Sequence, residues 1–168
     1  MIPRKYLILL STVGFIVALD QLTKNLVVSR FHLGDTKTVF SSFLNITRVH
    51  NAGAAFGLLA TLPPHLRDPF FFLVPGFTLA VILFVFYRLR DSQSLSTYAL
   101  AMIVGGALGN LADRLRLGFV IDFLDFHWNS GWHFPAFNVA DAAISLGVAM
   151  LLVGMLQEKD ESGEKAMA

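Results

Sequence analysis

Val139-Ala140-Asp141-Ala142-Ala143-Ile144-Ser145-Leu146-Gly147-Val148-Ala149-Met150-Leu151-Leu152-Val153-Gly154-Met155-Leu156 carries one charge in 18 positions. Crossing the hydrocarbon core of a bilayer takes about 20 predominantly apolar helical residues. The stretch therefore reads as a membrane helix, and its lone carboxylate needs a reason. Three more runs of this kind lie upstream, at about 6–28, 70–87 and 95–111, each bounded by charges or turn formers. Composition agrees, with 55% hydrophobic and 15% charged residues over 168 positions and a mean hydropathy of +0.61. Lipid suits such a chain better than water. The expected fold is an all-α membrane protein with four transmembrane helices forming one domain over 1–157. A polar tail, 158–168, is expected to be cytoplasmic and disordered.

Arg4 and Lys5 before the first run imitate a signal peptide, but no A-x-A site follows and Leu22, Leu26, Val27 and Val28 prolong the apolar pattern. It is read as a permanent helix. An even number of spans puts both termini on one side. The basic flanks Arg4, Lys5, Arg88 and Arg90 favour the cytoplasm for that side. The loops 29–69 and 112–138 then share the opposite face. The stretch 39–49 has a strand-like texture, and Phe126, Trp128, Trp132, Phe134 and Phe137 suit a headgroup belt. A small extracytoplasmic β-like or interfacial element is accordingly expected between helices 1 and 2.

Several classes fall away. A net charge of +1 with no basic run gives nothing to track phosphates, so no nucleic-acid partner is expected. With no cysteine, disulfides and thiolate chemistry are impossible. The five histidines lack metal-ligand spacing and Ser41, Ser42 and Ser145 lack a G-x-S-x-G turn, so neither a metal, a cofactor nor a serine mechanism is expected. Hydrolysis would have to come from carboxylates.

Charges in or beside membrane helices are functional candidates by default. Asp20 and Lys24, at i and i+4, read equally as a helix-stabilising ion pair or as the floor of a pocket. Asn51-Ala52-Gly53-Ala54-Ala55-Phe56-Gly57 is a turn, or a place where backbone meets another chain closely. Gly105 and Gly109 form a small-xxx-small helix-packing pair around Gly106. Asn110, Asp113 and Arg114 share one helical face, either as an interfacial anchor or as a scaffold for a site. Asp122, in Val120-Ile121-Asp122-Phe123-Leu124-Asp125-Phe126, reads as a loop acid or as half of a catalytic pair. Asn138 reads as the N-cap of the last helix, with Asp141 three residues on as a dipole-favoured carboxylate or as the other half. Two carboxylates held close share one proton and can act as base and acid together. With the helix N-terminus beside Asp141, Asp122 is the expected proton holder at rest.

These segments, in order, resemble the motif set of the lipoprotein signal peptidase (signal peptidase II) family: Asp20-x-x-Thr23-Lys24, Asn51-x-Gly53-Ala54-Ala55-Phe56, Gly105-Gly106-Ala107-x-Gly109-Asn110-Leu111-x-Asp113-Arg114, Val120-x-Asp122-Phe123 and Phe137-Asn138-Val139-Ala140-Asp141. Only Ala112 and Ala142 depart, where a larger apolar residue and a serine are expected. The resemblance implies an aspartyl endopeptidase with Asp122 and Asp141 as its catalytic dyad. Asp20, Lys24, Asn51, Gly53, Gly106, Asn110, Asp113, Arg114, Phe137, Asn138 and Ala140 would line or support the site. It implies a bacterial inner-membrane location with cytoplasmic termini and a site near the outer leaflet. The substrate would be a prolipoprotein cut just before a diacylglyceryl-modified cysteine, with membrane lipids as the other partners of a monomer. The loop 29–69 would close over that substrate. Two rival readings remain, a small proton or cation transporter and a non-catalytic membrane adaptor. The first would need acids near the bilayer midplane, whereas Asp113, Asp122 and Asp141 gather at one interface.

Overall fold

The four apolar runs fold as α1 (Arg4–Arg30), α2 (Pro64–Arg88), α3 (Ser94–Leu117) and α4 (Val139–Met167). The computed structural model describes residues 2–53, 63–128 and 132–167. All four helices are long and apolar enough to span a bilayer. Leu10, Leu73 and Phe77 are 68%, 71% and 73% exposed, a surface that only lipid makes favourable. α3 is the central helix: 56% of its spanning window is buried, against 17–22% in the other three. It packs on α4 where Gly106 meets the backbone of Ala140 and Gly147 meets the Ala99 carbonyl, and on α1 where Gly105 meets Ile16. Glycine at these positions removes the Cβ that would hold the helices apart.

The helices outrun their apolar runs. α2 starts at Pro64, where proline at N1 initiates a helix without a lost hydrogen bond. α3 does not stop at Leu111 but continues to Leu117, where Gly118 at φ +80° ends it in the left-handed region. Asp113 and Arg114 are therefore helical. The backbone of α4 is helical to Met167, and its membrane-length apolar part ends at Gln157.

The cytoplasmic expectation for the termini concerns an end closed by reciprocal capping. The backbone N–H groups of Arg4 and Lys5 donate to the Asp91 carboxylate at 3.2 and 2.8 Å. Lys5 Nζ donates in return to the carbonyls of Tyr87 and Leu89 at 2.9 and 2.7 Å. The start of α1 and the α2–α3 turn thus lie together.

At the other end the two long loops form one antiparallel sheet in the order β1 (Thr36–Phe40), β2 (Leu44–Asn51), β3 (Val120–Trp128), β4 (Trp132–His133). The β-like element is wider than expected, because the loop after α3 supplies half of its strands. Bulges interrupt the β1–β2 register between Thr38 and Phe40 and the β2–β3 register between Ile46 and Val49. Beyond the second bulge Val49 faces Asp122. The expectation for Ala54, Ala55, Phe56 and Gly57 lies outside the described residues.

Candidate active site

β3 is buried on both faces over Val120–Phe123, so Asp122 is carried on rigid backbone and is 2% exposed. Its oxygens are separately held: Oδ1 accepts from Asn138 Nδ2 at 2.7 Å and Oδ2 from Asn51 Nδ2 at 2.9 Å. The Asn51 amide has a fixed orientation, since its Oδ1 accepts from the Gly53 N–H at 3.0 Å and only its Nδ2 can then face the carboxylate. Burial pushes the Asp122 carboxyl up to about 6, with the nearby Asp141 adding to the rise and the two asparagines opposing it.

Asp141 sits on the first turn of α4. The Asn138 Oδ1 accepts from the Asp141 N–H at 3.0 Å, and Asp141 Oδ2 accepts from the Asn138 N–H at 3.3 Å. This is a capping box with aspartate in the N3 position. Asp141 Oδ1 accepts from Asn110 Nδ2 at 2.7 Å. Asn138, fully buried, therefore touches both carboxylates, one through its side chain and one through its backbone.

Beneath the pair lies a buried charge cluster. Lys24 Nζ is 2.8 Å from Asp20 Oδ2, 2.8 Å from Asp113 Oδ2 and 3.0 Å from Asn110 Oδ1. These three acceptors match the three N–H bonds of an ammonium. The i, i+4 ion pair is formed, and it lies behind the cavity wall rather than on its floor. Because Lys24 can only donate, it fixes Asn110 Oδ1 toward itself and turns the Asn110 Nδ2 to Asp141. Asp20 Oδ1 accepts from the Ala140 N–H at 3.0 Å and so satisfies a donor at the start of α4. Asp113 Oδ2 accepts from the Ile121 N–H at 3.2 Å, tying α3 to the residue before Asp122. Gly109 makes room for the cluster: a Cβ there would lie 2.7 Å from Asp20 Oδ2.

A cavity of ≈ 1190 Å³ opens in front of the two carboxylates, and Asn51, Gly53, Asn110, Arg114, Phe137 and Asp141 line it with Asp122. Arg114 Nη2 donates to the Gly53 carbonyl at 3.3 Å and its guanidinium lies 5.0 Å from the Phe71 ring. Asp20, Lys24, Gly106, Asp113, Asn138 and Ala140 lie behind the wall. All thirteen residues expected at the site thus converge there, in a lining set and a supporting set.

Two neighbours carried no expectation of a role. Gln21 Nε2 donates to Asp113 Oδ1 at 2.9 Å and to Asp20 Oδ2 and the Gly109 carbonyl, both at 3.2 Å. Nothing in its local sequence marks it beyond adjacency to Asp20. His50 lines the cavity and stacks on Phe119 at 3.9 Å. Burial, then the Arg48 charge, lowers its pKa and favours a neutral ring.

The geometry has close relations among known proteins. The chain is 46% identical to the lipoprotein signal peptidase of Syntrophus aciditrophicus over 94% of this chain and 98% of the relative. It is 50% identical to that of Geobacter sulfurreducens over 85% and 88%. A bacterial membrane enzyme solved by the in meso method at 2.3 Å superposes with a TM-score of 0.80 at 30% identity, covering 91% of this chain and 90% of that one. The sequence model of the family described as signal peptidase (SPase) II matches residues 12–157, a stretch that spans both carboxylates and their supports, and the chain belongs to that family of membrane peptidases.

Proposed function

We propose that the chain is the aspartyl endopeptidase that removes signal peptides from diacylglyceryl-modified prolipoproteins, with Asp122 and Asp141 as its catalytic dyad. One observation carries the assignment: two carboxylates, Asp122 buried and Asp141 half-buried, are bridged by Asn138 and border one cavity at the end of the membrane helices where the sheet lies. Two such groups hold a single proton between them. The ionised member takes a proton from water as its oxygen attacks the scissile carbonyl carbon. The protonated member gives its proton to the carbonyl oxygen, forming a neutral gem-diol. Collapse returns the diol proton to one carboxyl and delivers the other to the leaving amine, restoring the one-proton pair. The raised pKa of Asp122 suits it to start as the acid.

The membrane supplies the rest of the recognition. Acyl chains on the substrate cysteine stay in lipid while the peptide enters the cavity beside Gly53 and Phe137. Arg4, Lys5, Arg88 and Arg90 flank the end opposite the sheet, which favours cytoplasmic termini and a site at the outer leaflet.

The test is cleavage of a diacylglyceryl-modified prolipoprotein by purified protein in detergent, with Asp122→Asn and Asp141→Asn compared at equal folded amounts. Wild type should cut before the lipidated cysteine and both variants should be inactive. Cleavage surviving either substitution removes that residue from the dyad.

A further inference from the structure

A second cavity, of ≈ 860 Å³, lies between the outer end of α1 and the β1–β2 hairpin. Asp122 borders the catalytic cavity and Phe123 borders this one. Successive side chains of a strand point to opposite faces, so β3 stands between the two. Leu26, Val27, Val39, Ile46 and Phe123 give it an apolar wall, and Leu26 and Val39 are each 48% exposed. Arg30 and Lys37 stand along the same groove, both exposed.

Charge distinguishes this groove from ordinary lipid-facing surface. Among the described residues, neither Arg30 nor Lys37 has a side-chain hydrogen bond, ion pair or ring contact. The acid in the groove, Asp35, is turned to its own backbone, where Oδ2 accepts from the His32 N–H at 2.7 Å. Arg48, the nearest other cation in sequence on β2, donates to the Val28 and Phe31 carbonyls at 3.4 and 2.8 Å and so caps α1. Two cations are left unanswered above an apolar trough, at the end of a 27-residue helix that spans the hydrocarbon. Their level is that of lipid headgroups.

We propose that this groove binds an anionic phospholipid, its phosphate between Arg30 and Lys37 and its upper acyl chain against Leu26, Val39 and Phe123. The volume suits an amphiphile of that size, as ligand cavities run to about 300–1,000 Å³. A lipid seated there would brace the back of β3, the strand that carries Asp122. Binding does not depend on peptidase chemistry and can be read apart from it.

The experiment is native mass spectrometry of the purified full chain in neutral detergent, with phosphatidylglycerol and phosphatidylcholine of identical chains in competition. Two basic side chains near the phosphate should give roughly a tenfold preference for the anionic lipid. Arg30→Gln/Lys37→Gln should bring the preference close to parity, while Arg88→Gln/Arg90→Gln at the opposite end should keep it. Both Arg30 and Lys37 are exposed and lie outside the catalytic machinery, so turnover in neutral detergent checks that the double variant is folded. Parity in wild type overturns the proposal, as does a preference that survives loss of Arg30 and Lys37. Displacement of the lipid by millimolar glycerol phosphate would make this a free-phosphate site and overturn it equally.

Discussion

Asn138 Nδ2 donates to Asp122 Oδ1 across 2.7 Å, so the residue that caps α4 also holds the acid on β3. Cap and bridge can be separated by substitution. Asn138→Ser keeps a capping oxygen and should change stability by less than about 1 kcal/mol, yet it has no amide to reach Asp122. Turnover should fall by roughly 10²-fold, the scale of a lost positioning contact, with KM little changed. Thermal unfolding and single-turnover cleavage together check this; a variant that keeps full turnover would make the bridge incidental.

The alkaline limb of the proposed activity belongs to Asp122 and its neighbours. Its folded pKa, about 6, lies above the ordinary 3.8 because of burial first, with the charge of Asp141 adding to it. Proton uptake by this group stabilises the fold fully below pH 3.8, and the contribution is lost as pH rises through about 6. The proposed mechanism needs one proton on the pair, so kcat/KM of the free enzyme should decline on the alkaline side of that region. Asn51 opposes the rise by donating to the ionised form. Asn51→Leu should therefore move the alkaline limb to higher pH, measured as the pH profile of kcat/KM. A limb that moves down, or stays put, contradicts this account.

Lys24 holds two carboxylates that are each no more than 2% exposed. Lys24→Met leaves them facing one another unneutralised and should cost about 3–5 kcal/mol, the range for breaking a buried pair. Adding Asp20→Asn and Asp113→Asn should recover much of that stability. Activity should stay lowered in the triple variant, because Asn110 Oδ1 has lost the Lys24 donor and keeps only Asn138 Nδ2 at 3.1 Å to orient its amide toward Asp141. Melting in detergent and cleavage rate separate the two effects.

Much of this was legible from residue types alone. Spans of apolar length need no periodicity to be recognised, which is why all four helices stood out, and both carboxylates of the pair lay within quotable motifs. The end of α3 was legible only in part: the spacing of Asn110, Asp113 and Arg114 gives one helical face, but the apolar run stops at Leu111, and what keeps the helix going is the burial of Asp113 against Lys24 and the Ile121 N–H. β3 was missed as a strand for a related reason. Val120-Ile121-Asp122-Phe123 is buried on both faces, and a strand covered on both sides does not alternate. Gln21 was hidden because its partners on α3 lie 88 and 92 residues away.

Asp125 and His133 make a contact on the sheet at 2.8 Å, with Asn45 donating to the other Asp125 oxygen at 2.9 Å. Burial alone would raise the Asp125 carboxyl, but these two hydrogen bonds and the nearby His133 and His127 charges hold it below its ordinary value. The stability it contributes is present above pH 3.8 and lost as pH falls below it. His133 precedes the Phe134–Phe137 wall of the cavity that Asp122 and Asp141 border. His133→Ala should raise KM a few-fold and leave kcat within twofold, since His133 is 55% exposed and a contact of that kind is worth at most about 1 kcal/mol. Steady-state kinetics on the lipidated substrate checks the split.

Two glycines on the spanning helices should respond oppositely to alanine. At Gly106 a Cβ would run into the Ala140 carbonyl and Ile144, and the carbonyl belongs to rigid helix backbone beside Asp141. Gly106→Ala must push α4 away from α3, with the overpacking penalty of about 1–3 kcal/mol. The displacement also disturbs the Asn110–Asp141 hydrogen bond that joins the same two helices, so turnover should fall with stability. At Gly14, on α1, a Cβ meets nothing within 4 Å. There alanine removes only the backbone freedom of glycine and should stabilise by about 0.4–1 kcal/mol, with activity unchanged. Equal melting shifts at both positions would mean that the close approach of α3 and α4 is not what glycine serves at 106.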